Sequence, residues 1–405
     1  MSTVAVVGAS LAGLAAADTL RQGGHDGTIV VVDRSARLPV DRPPLSKQLL
    51  AGEWEPERAH QPLANKVGDL GLDLRLGVSA TALEVGSRTL TLSDGSSLEA
   101  DAVVLAMGAA PRRLPGPPLA GVHVVRDLDD CLALRADLEV GPSRVAVIGA
   151  GFIGAEVAAT CRGRGLEVSM IEAAPAPMVR VLPGEIGGFV ADLHRDQGVD
   201  VRLGVGVEGL VDDGAGRVAG VRMADGTVID AGVVVVGIGV VPEVDWLDGS
   251  GLVLDNGVRC DETCLAAPGV VAAGDVASWP NPLFGEVMRV EQWEHGIEMG
   301  EAAGRRVLAG LADEWRGPGD PFPAVPWFWS DQYDRKIQMA GRPAATDEAV
   351  LVEGTIEERR FAVAFRRGDR CTGVLAVNRP RHAIQARMKL QASLDWAPIA
   401  EMFGV

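Results

Sequence analysis

Cysteine is scarce and scattered in this 405-residue chain. Cys131, Cys161, Cys260, Cys264 and Cys371 form no C-x-x-C pair. An odd, dispersed set argues against a disulfide framework and for a reducing cytoplasmic setting. It also gives no metal-binding spacing, so no metal site is expected. Positive charge is short, with 38 Lys+Arg against 55 Asp+Glu and a formal net charge of −17. That balance argues against nucleic acid or an anionic membrane as a partner of the whole body. No apolar run approaches the roughly 18 residues of a membrane helix. The N-terminus lacks the basic start of a signal peptide and already reads as strand and turn. What the chain does have is 47% apolar residues and 51 glycines. The first is ample for large cores, and the length predicts two or three domains.

The glycines concentrate in meaningful places. Residues 142–172 read PSRVAVIGAGFIGAEVAATCRGRGLEVSMIE. Residues 144–148 are a short apolar run and predict a buried strand. Gly149, Gly151 and Gly154 follow as G-x-G-x-x-G, then a helical stretch over 155–164, then a second apolar run ending at Glu172. This is the strand–turn–helix–strand context of a dinucleotide fingerprint. Gly149 permits the tight turn, Gly151 lets backbone approach a pyrophosphate, and Gly154 lets the helix pack on the strand. The phosphates then meet free N–H groups at the positive end of the helix. Glu172 closes the second strand, where a carboxylate accepts both ribose hydroxyls and repels a 2′-phosphate. NAD is therefore expected rather than NADP.

The same unit occurs earlier. Residues 3–33 read TVAVVGASLAGLAAADTLRQGGHDGTIVVVD, with Gly8, Ala12, Gly13 and a terminal Asp33 followed by Arg34. Ser10 replaces the middle glycine. A serine still offers its N–H and adds a hydroxyl, but its Cβ faces the pyrophosphate. Two units imply two dinucleotides, and so a protein that passes hydride between FAD and NAD(P)H.

Residues 41–47, DRPPLSK, are rigid at the prolines and turn into a short helix. Here the chain resembles the NADH-dependent ferredoxin reductases of bacterial cytochrome P450 and aromatic-ring dioxygenase systems. F-W-S-D-Q at residues 328–332 is also typical of that family. The resemblance covers the whole chain and implies FAD and NADH as cofactors. It places Lys47 beside the flavin ring, where a cation favours the negative charge of the reduced state. It puts Arg42 on the pyrophosphate side, Ala80 near the FAD adenine, and Arg126 at the FAD phosphates. Read alone, Arg126 is as well explained by a surface salt bridge to Asp127 or Asp129. Asp275, at the end of GVVAAGD, would accept from the ribityl chain, and Trp293 would reach the far side of the flavin. Glu156 stands in the first helical turn, where the helix dipole is a sufficient reason for a carboxylate. The resemblance adds that it faces the nicotinamide and pairs with Lys47. Ile153 belongs to the same NAD turn, Arg180 would meet the NADH phosphates or ribose, and Gly237 and Gly239 would lie against the nicotinamide.

The fold class implied is α/β. Two Rossmann-like domains are expected, the NAD domain (109–239) inserted in the FAD domain (1–108 and 240–318), followed by an α+β C-terminal domain (319–405). Residues 73–105 alternate apolar and polar and predict antiparallel strands. Residues 294–308 predict a helix with Arg305 and Arg306 exposed. Residues 359–389 hold nine basic residues and one acid, Asp369. On an acidic chain that basic stretch is a candidate landing site for an acidic [2Fe–2S] ferredoxin. Arg305, Arg306, Trp329, Arg366 and Arg367 are the docking candidates. A P450 or a dioxygenase would be the final acceptor. A disulfide reductase on the same scaffold would need a cysteine near the flavin, and none lies in the first 130 residues. A non-catalytic nucleotide sensor, like the apoptosis-inducing flavoproteins, is the alternative from another class.

Overall fold

Strands Thr3–Val7 and Val145–Ile148 are both built of small and β-branched apolar residues, and both are buried on each face. Such runs belong in the middle of parallel sheets covered by helices. In the computed structural model, which describes residues 2–60, 62–179, 181–182 and 184–405, each is the centre of its own sheet. The chain forms two units, one of Met1–Asp41, His60–Ala110 and Val241–Pro326, the other of Arg42–Ala59, Pro111–Val240 and Trp327–Val405.

In the first unit, Thr3–Val7 pairs in parallel with Thr28–Asp33 on one side and Ala102–Leu105 on the other. Val270–Ala272 extends the sheet beyond Ala102–Leu105. Asp73–Leu76 pairs in parallel with Thr28–Asp33. This corrects the antiparallel expectation at its first strand, which closes the edge of the nucleotide sheet. Ala80–Glu84, Thr89–Leu92 and Ser97–Glu99 do form an antiparallel sheet. Helix Leu11–Gln22 packs against helix Trp293–Asp313 at very close range: a Cβ on Gly300 would lie 2.3 Å from the carbonyl oxygen of Ala12. Glycines one turn apart at 296, 300 and 304 give the long helix a flat face for this contact.

In the second unit, five parallel strands run in the order Asp200–Leu203, Val168–Glu172, Val145–Ile148, Val233–Val236, Val122–His123. An antiparallel meander, Val207–Asp212, Val218–Met223 and Val228–Asp230, packs its apolar side on this sheet. The chain's last segment forms a five-stranded antiparallel sheet ordered Trp327–Gln332, Arg335–Gly341, Arg370–Val377, Arg360–Arg367, Glu348–Thr355, followed by helices Pro380–Ala392 and Trp396–Phe403. Helix Gly184–Asp196 puts Ile186, Phe189 and Val190 into one core with Phe328, Phe361, Phe365 and Leu375 of that sheet. None of the described helices is long and apolar enough to cross a membrane.

Candidate active site

Both fingerprints take the turn that their glycines permit. Gly8 has φ +108°, and a Cβ there would lie 2.4 Å from the Ala106 carbonyl oxygen. Gly149 has φ +100°, and a Cβ would lie 2.3 Å from the Gly237 carbonyl oxygen. Only glycine fits either position. The third glycines are as tight: a Cβ on Gly13 would meet Gly8 O at 1.9 Å, and one on Gly154 would meet Gly149 O at 2.0 Å. The middle position differs. At Gly151, the N-cap of helix Phe152–Gly163, a Cβ would meet nothing within 4 Å. Its helix N-terminus thus faces open space, as a pyrophosphate requires. Ser10 caps helix Leu11–Gln22 in extended conformation, and its hydroxyl makes a long 3.4 Å bond to Ala106 O.

The strand-end carboxylates also match. Asp33 accepts the N–H of Ala9 at 2.7 Å and that of Ser35 at 2.7 Å. Glu172 accepts the N–H of Ala150 at 2.9 Å and that of Ala174 at 2.9 Å. Each staples its own turn and brings a negative charge to the mouth of the cradle. The donors, the open N-terminus and the acid are what a dinucleotide needs, so the residues fit FAD in the first unit and NAD in the second. Ile153 is 44% exposed on the first turn of its helix, beside that open end. Gly237 donates to Ile148 O at 2.7 Å, which keeps the next strand's loop close to the fingerprint, and Gly239 accepts the N–H of Arg112. Arg180 lies outside the described residues.

The other candidates of the first unit are variously engaged. Arg34 pairs with Glu243. Ala12 is buried against Gly300 and Gly274. Ala80 opens an antiparallel strand opposite Leu92. Asp275 sits in a one-turn helix, Gly274–Val276, after the strand Val270–Ala272. Trp293 begins the long helix, and its indole N–H donates to Asp41 at 2.6 Å.

In the second unit, the run from Arg42 to Lys47 forms a 3₁₀ turn, Pro43–Ser46, and leads into a short helix, Gln48–Ala51, with Arg42 exposed at the start. Lys47 Nζ donates to Glu156 Oε2 at 2.7 Å, and the Ser46 hydroxyl donates to the same oxygen at 2.5 Å. The Ser330 hydroxyl donates to Oε1 at 2.8 Å. Glu156 is 3% exposed. The helix begins at Phe152, three residues before the expected start, so Glu156 stands on the second turn. The dipole explanation therefore weakens, since it falls off within the first turn. Three hydrogen bonds, one of them from the Lys47 ammonium, explain the carboxylate better. Sequence reading missed the rest of this face. Thr160 donates to Ser46 O at 2.7 Å and Arg164 to Leu50 O at 2.9 Å. Residues 156, 160 and 164 lie one turn apart, so a single polar stripe clamps the Lys47 segment to the NAD helix. The spacing was visible; its partners are more than a hundred residues away.

Arg126 lies at the start of helix Leu128–Glu139, where Asp127 and Asp130 make a capping box, and its backbone N–H donates to Asp130 at 3.0 Å. The docking candidates separate. Arg305 is exposed and within reach of Glu301 at 3.7 Å. Arg306 is not exposed: it is 4% accessible, donates to Gly317 O and covers the Trp315 ring at 5.3 Å. One residue along a helix is about 100° of rotation, so adjacent arginines cannot share a face. Trp329 is half-buried, while its neighbour Trp327 is buried with Arg387 over its ring. Arg367 makes a two-pronged contact with buried Asp347, at 2.7 and 3.1 Å. Arg366 lies over Trp396 and 3.5 Å from Asp369. Arg359 and Arg379 are also paired with acids. The surplus charge of this stretch is thus smaller than its sequence suggests.

All five thiols are buried and unbridged. Burial pushes Cys131, Cys161, Cys260 and Cys371 up to about 12 and Cys264 well above its ordinary value. None of them is a thiolate at neutral pH.

Two family models match the chain: pyridine nucleotide-disulphide oxidoreductase over residues 2–300, and reductase C-terminal over 327–400. Rhodocoxin reductase of Rhodococcus erythropolis is 36% identical over 400 residues, 98% of this chain and 91% of that protein. The 5,5′-dehydrodivanillate O-demethylase ferredoxin reductase subunit of a Sphingobium strain is 38% identical over 386 residues, 94% of this chain and 91% of that one. Among solved structures, the covalent putidaredoxin reductase–putidaredoxin complex contains a chain that superposes with TM-score 0.90 and 31% identity, covering 100% of this chain and 98% of that one.

Proposed function

We propose a function from the premise that this chain belongs to the pyridine nucleotide-disulphide oxidoreductase family, in its branch of NADH-dependent ferredoxin reductases. It is a flavoprotein enzyme, an NADH:ferredoxin oxidoreductase. It takes hydride from NADH and passes electrons singly to a [2Fe–2S] ferredoxin, which feeds a cytochrome P450 or a ring-hydroxylating dioxygenase. Bound FAD supplies the conversion of a two-electron donor into one-electron deliveries.

The chain's own residues supply binding, selection and charge. FAD is assigned to the cradle of Gly8, Ser10, Gly13 and Asp33, in segments 1–108 and 240–318. NADH is assigned to Gly149, Gly151, Gly154 and Glu172, in segment 109–239. Glu172 accepts the adenosine ribose and disfavours a 2′-phosphate. Lys47 holds a positive charge where reduction adds a negative one, and Glu156 keeps that ammonium in place. The observation that carries this assignment is the 2.7 Å Lys47–Glu156 pair, which joins DRPPLSK to the NAD helix. Segment 319–405 and Arg305 receive the ferredoxin, an assignment supported by the basic stretch over 359–389. A cytoplasmic setting is supported by five thiols, none in a disulfide.

Stopped-flow mixing of the yellow protein with NADH, and separately NADPH, tests the reading. NADH should bleach the flavin band much faster than NADPH, and an added [2Fe–2S] ferredoxin should then be reduced. A flavin that NADH leaves oxidised would overturn it.

A further inference from the structure

A second set of polar groups stands behind Glu156, and the catalytic pair alone does not account for it. Ser330 Oγ, which donates to Glu156, is met at 3.1 Å by the Gln332 side-chain nitrogen. Gln332 Oε1 lies 3.1 Å from Nε2 of His194, and the Tyr333 hydroxyl lies 2.9 Å from Nδ1 of the same ring. Ser330, Gln332 and His194 are each 0% exposed, and Tyr333 is half-buried at the outer end. Helix Gly184–Asp196 carries His194, and strand Trp327–Gln332 carries the two inner members.

The direction of every bond follows from the charge at the inner end. An ionised carboxylate only accepts, so Ser330 donates to Glu156. The serine oxygen then accepts from the Gln332 amide nitrogen. That orientation turns the amide oxygen to His194. Burial pushes His194 down to about 4, so the ring is neutral at pH 7 and has one donor and one acceptor. Nε2 must donate to Gln332, and Nδ1 must accept from Tyr333. Four consecutive groups thus point their positive ends at one carboxylate, and aligned buried hydrogen bonds reinforce one another. The amide in the middle has no proton to relay, so the row transmits polarisation rather than protons. Tyr333 itself adopts φ +56°, a left-handed conformation that disfavours a bulky residue. Glycine or asparagine would suit this two-residue turn better. The strain is tolerated where the ring meets His194, at 5.3 Å between centroids.

We propose that Ser330, Gln332, His194 and Tyr333 are positioning residues: a one-way hydrogen-bond row that holds the Glu156 carboxylate oriented toward Lys47 during flavin reduction. The proposal deepens the reading of the Lys47–Glu156 pair and rests on it. It adds four residues that act through Glu156 without touching substrate.

Tyr333 is the only tyrosine in the chain, so labelling with [ζ-13C]tyrosine gives one NMR resonance from the row's outer end. In the oxidised holoprotein, Glu156→Gln removes the charge that sets the direction and should move this resonance. An unmoved resonance overturns the row. In stopped flow, Gln332→Leu should slow reduction by NADH about tenfold and Tyr333→Phe about threefold, the scale of one hydrogen bond lost from a charged site or its support. The Glu156→Gln/Gln332→Leu double variant should be no slower than Glu156→Gln alone. Additive losses would mean that Gln332 acts independently of Glu156, and the proposal falls. Tyr333→Phe removes a single hydroxyl and serves in the same cycle if Gln332→Leu does not fold. If Glu156→Gln reduces normally, the reading of the pair itself fails, and the resonance alone decides the row.

Discussion

Glu172 Oε2 accepts the backbone N–H of Ala150 at 2.9 Å, inside the glycine turn that the nucleotide must approach. The same carboxylate therefore shapes the cradle and, on the proposed function, selects the nucleotide. Removing it has two separable effects. Glu172→Ala should lower the NADH-over-NADPH preference of flavin reduction by about tenfold, since the repulsion of a 2′-phosphate disappears. It should also lower the melting temperature slightly, because two turn N–H groups lose their acceptor. Parallel stopped-flow titrations with both nucleotides check the first effect, and an unchanged ratio would remove Glu172 from nucleotide selection.

Lys47 and Glu156 are a buried pair, with side chains 12% and 4% accessible. Breaking such a pair on one side leaves an uncompensated charge, at a cost of about 3–5 kcal/mol, whereas replacing both by apolar groups is often neutral. Lys47→Met should therefore melt well below the wild type, and Lys47→Met/Glu156→Leu should recover much of the loss. Flavin reduction by NADH should be slow in both. Thermal melts together with stopped flow separate structure from chemistry: a double variant that recovers stability and also rate would end the catalytic assignment of the pair.

The family takes its name from disulphide chemistry, but this chain has no thiol suited to it. Burial pushes four of the five thiols up to about 12 and Cys264 well above its ordinary value, so all five react slowly with a disulfide reagent. A thiol-exchange dye should find essentially no fast-reacting group in the native protein and all five in denaturant. Activity should survive prior treatment with iodoacetamide. One rapidly labelled cysteine whose modification stops turnover would restore the disulfide reading.

The geometry of the two glycine turns was legible because it is written in local spacing. Asp33 and Glu172 accept the N–H groups of Ala9 and Ala150, 24 and 22 positions back, so the strand–turn–helix–strand pattern locates both turns, although the carbonyls that enforce glycine at 8 and 149 come from Ala106 and Gly237. What stayed hidden depends on long-range partners. Ser46 and Ser330 bond Glu156 from 110 and 174 positions away. The strand Asp73–Leu76 looked antiparallel because its alternation says nothing of its neighbour. Arg306 resembled Arg305 in the sequence, and only the helix face separates them.

His194 and His295 give a pH dependence whose sign is set by burial. Burial holds both rings down to about 4, with Gln332 opposing at His194 and Asp275 opposing at His295. Among the described residues neither ring nitrogen of His295 has a hydrogen-bond partner, and its face stacks on Trp279 at 4.9 Å. In the unfolded chain both titrate near 6.5. The unfolded state then binds more protons between about 6.5 and 4, so stability is fully present above that window and is lost as pH falls through it. A shift of this size corresponds to about 3 kcal/mol per ring. Denaturant titrations at pH 7.5, 6 and 5 should show the decline beginning before carboxylates titrate. His295→Leu should flatten it, and a wild-type curve level from pH 7 to 5 would contradict the burial account.

Neighbouring arginines at 366 and 367 should answer differently to the same substitution. Arg367 grips Asp347, which is 6% exposed. Burial alone would raise the Asp347 carboxyl, but hydrogen bonds from Arg367, Ala344 and Thr372 outweigh it and hold the group below the ordinary range. Arg367→Glu would set a second acid against it, so the expected result is lost stability. Arg366 contacts the Trp396 ring at 5.1 Å and a fully exposed Asp369. Its charge still adds to the field that steers an acidic partner, and such steering weakens with salt. Arg366→Glu should raise the apparent KM for ferredoxin several-fold at low ionic strength, and the difference should shrink at about 0.5 M salt. Its melting temperature should stay near that of the wild type. If Arg366→Glu leaves the ferredoxin KM unchanged at low salt, the ferredoxin docks away from this strand, and Arg305 on the first unit becomes the residue to reverse next.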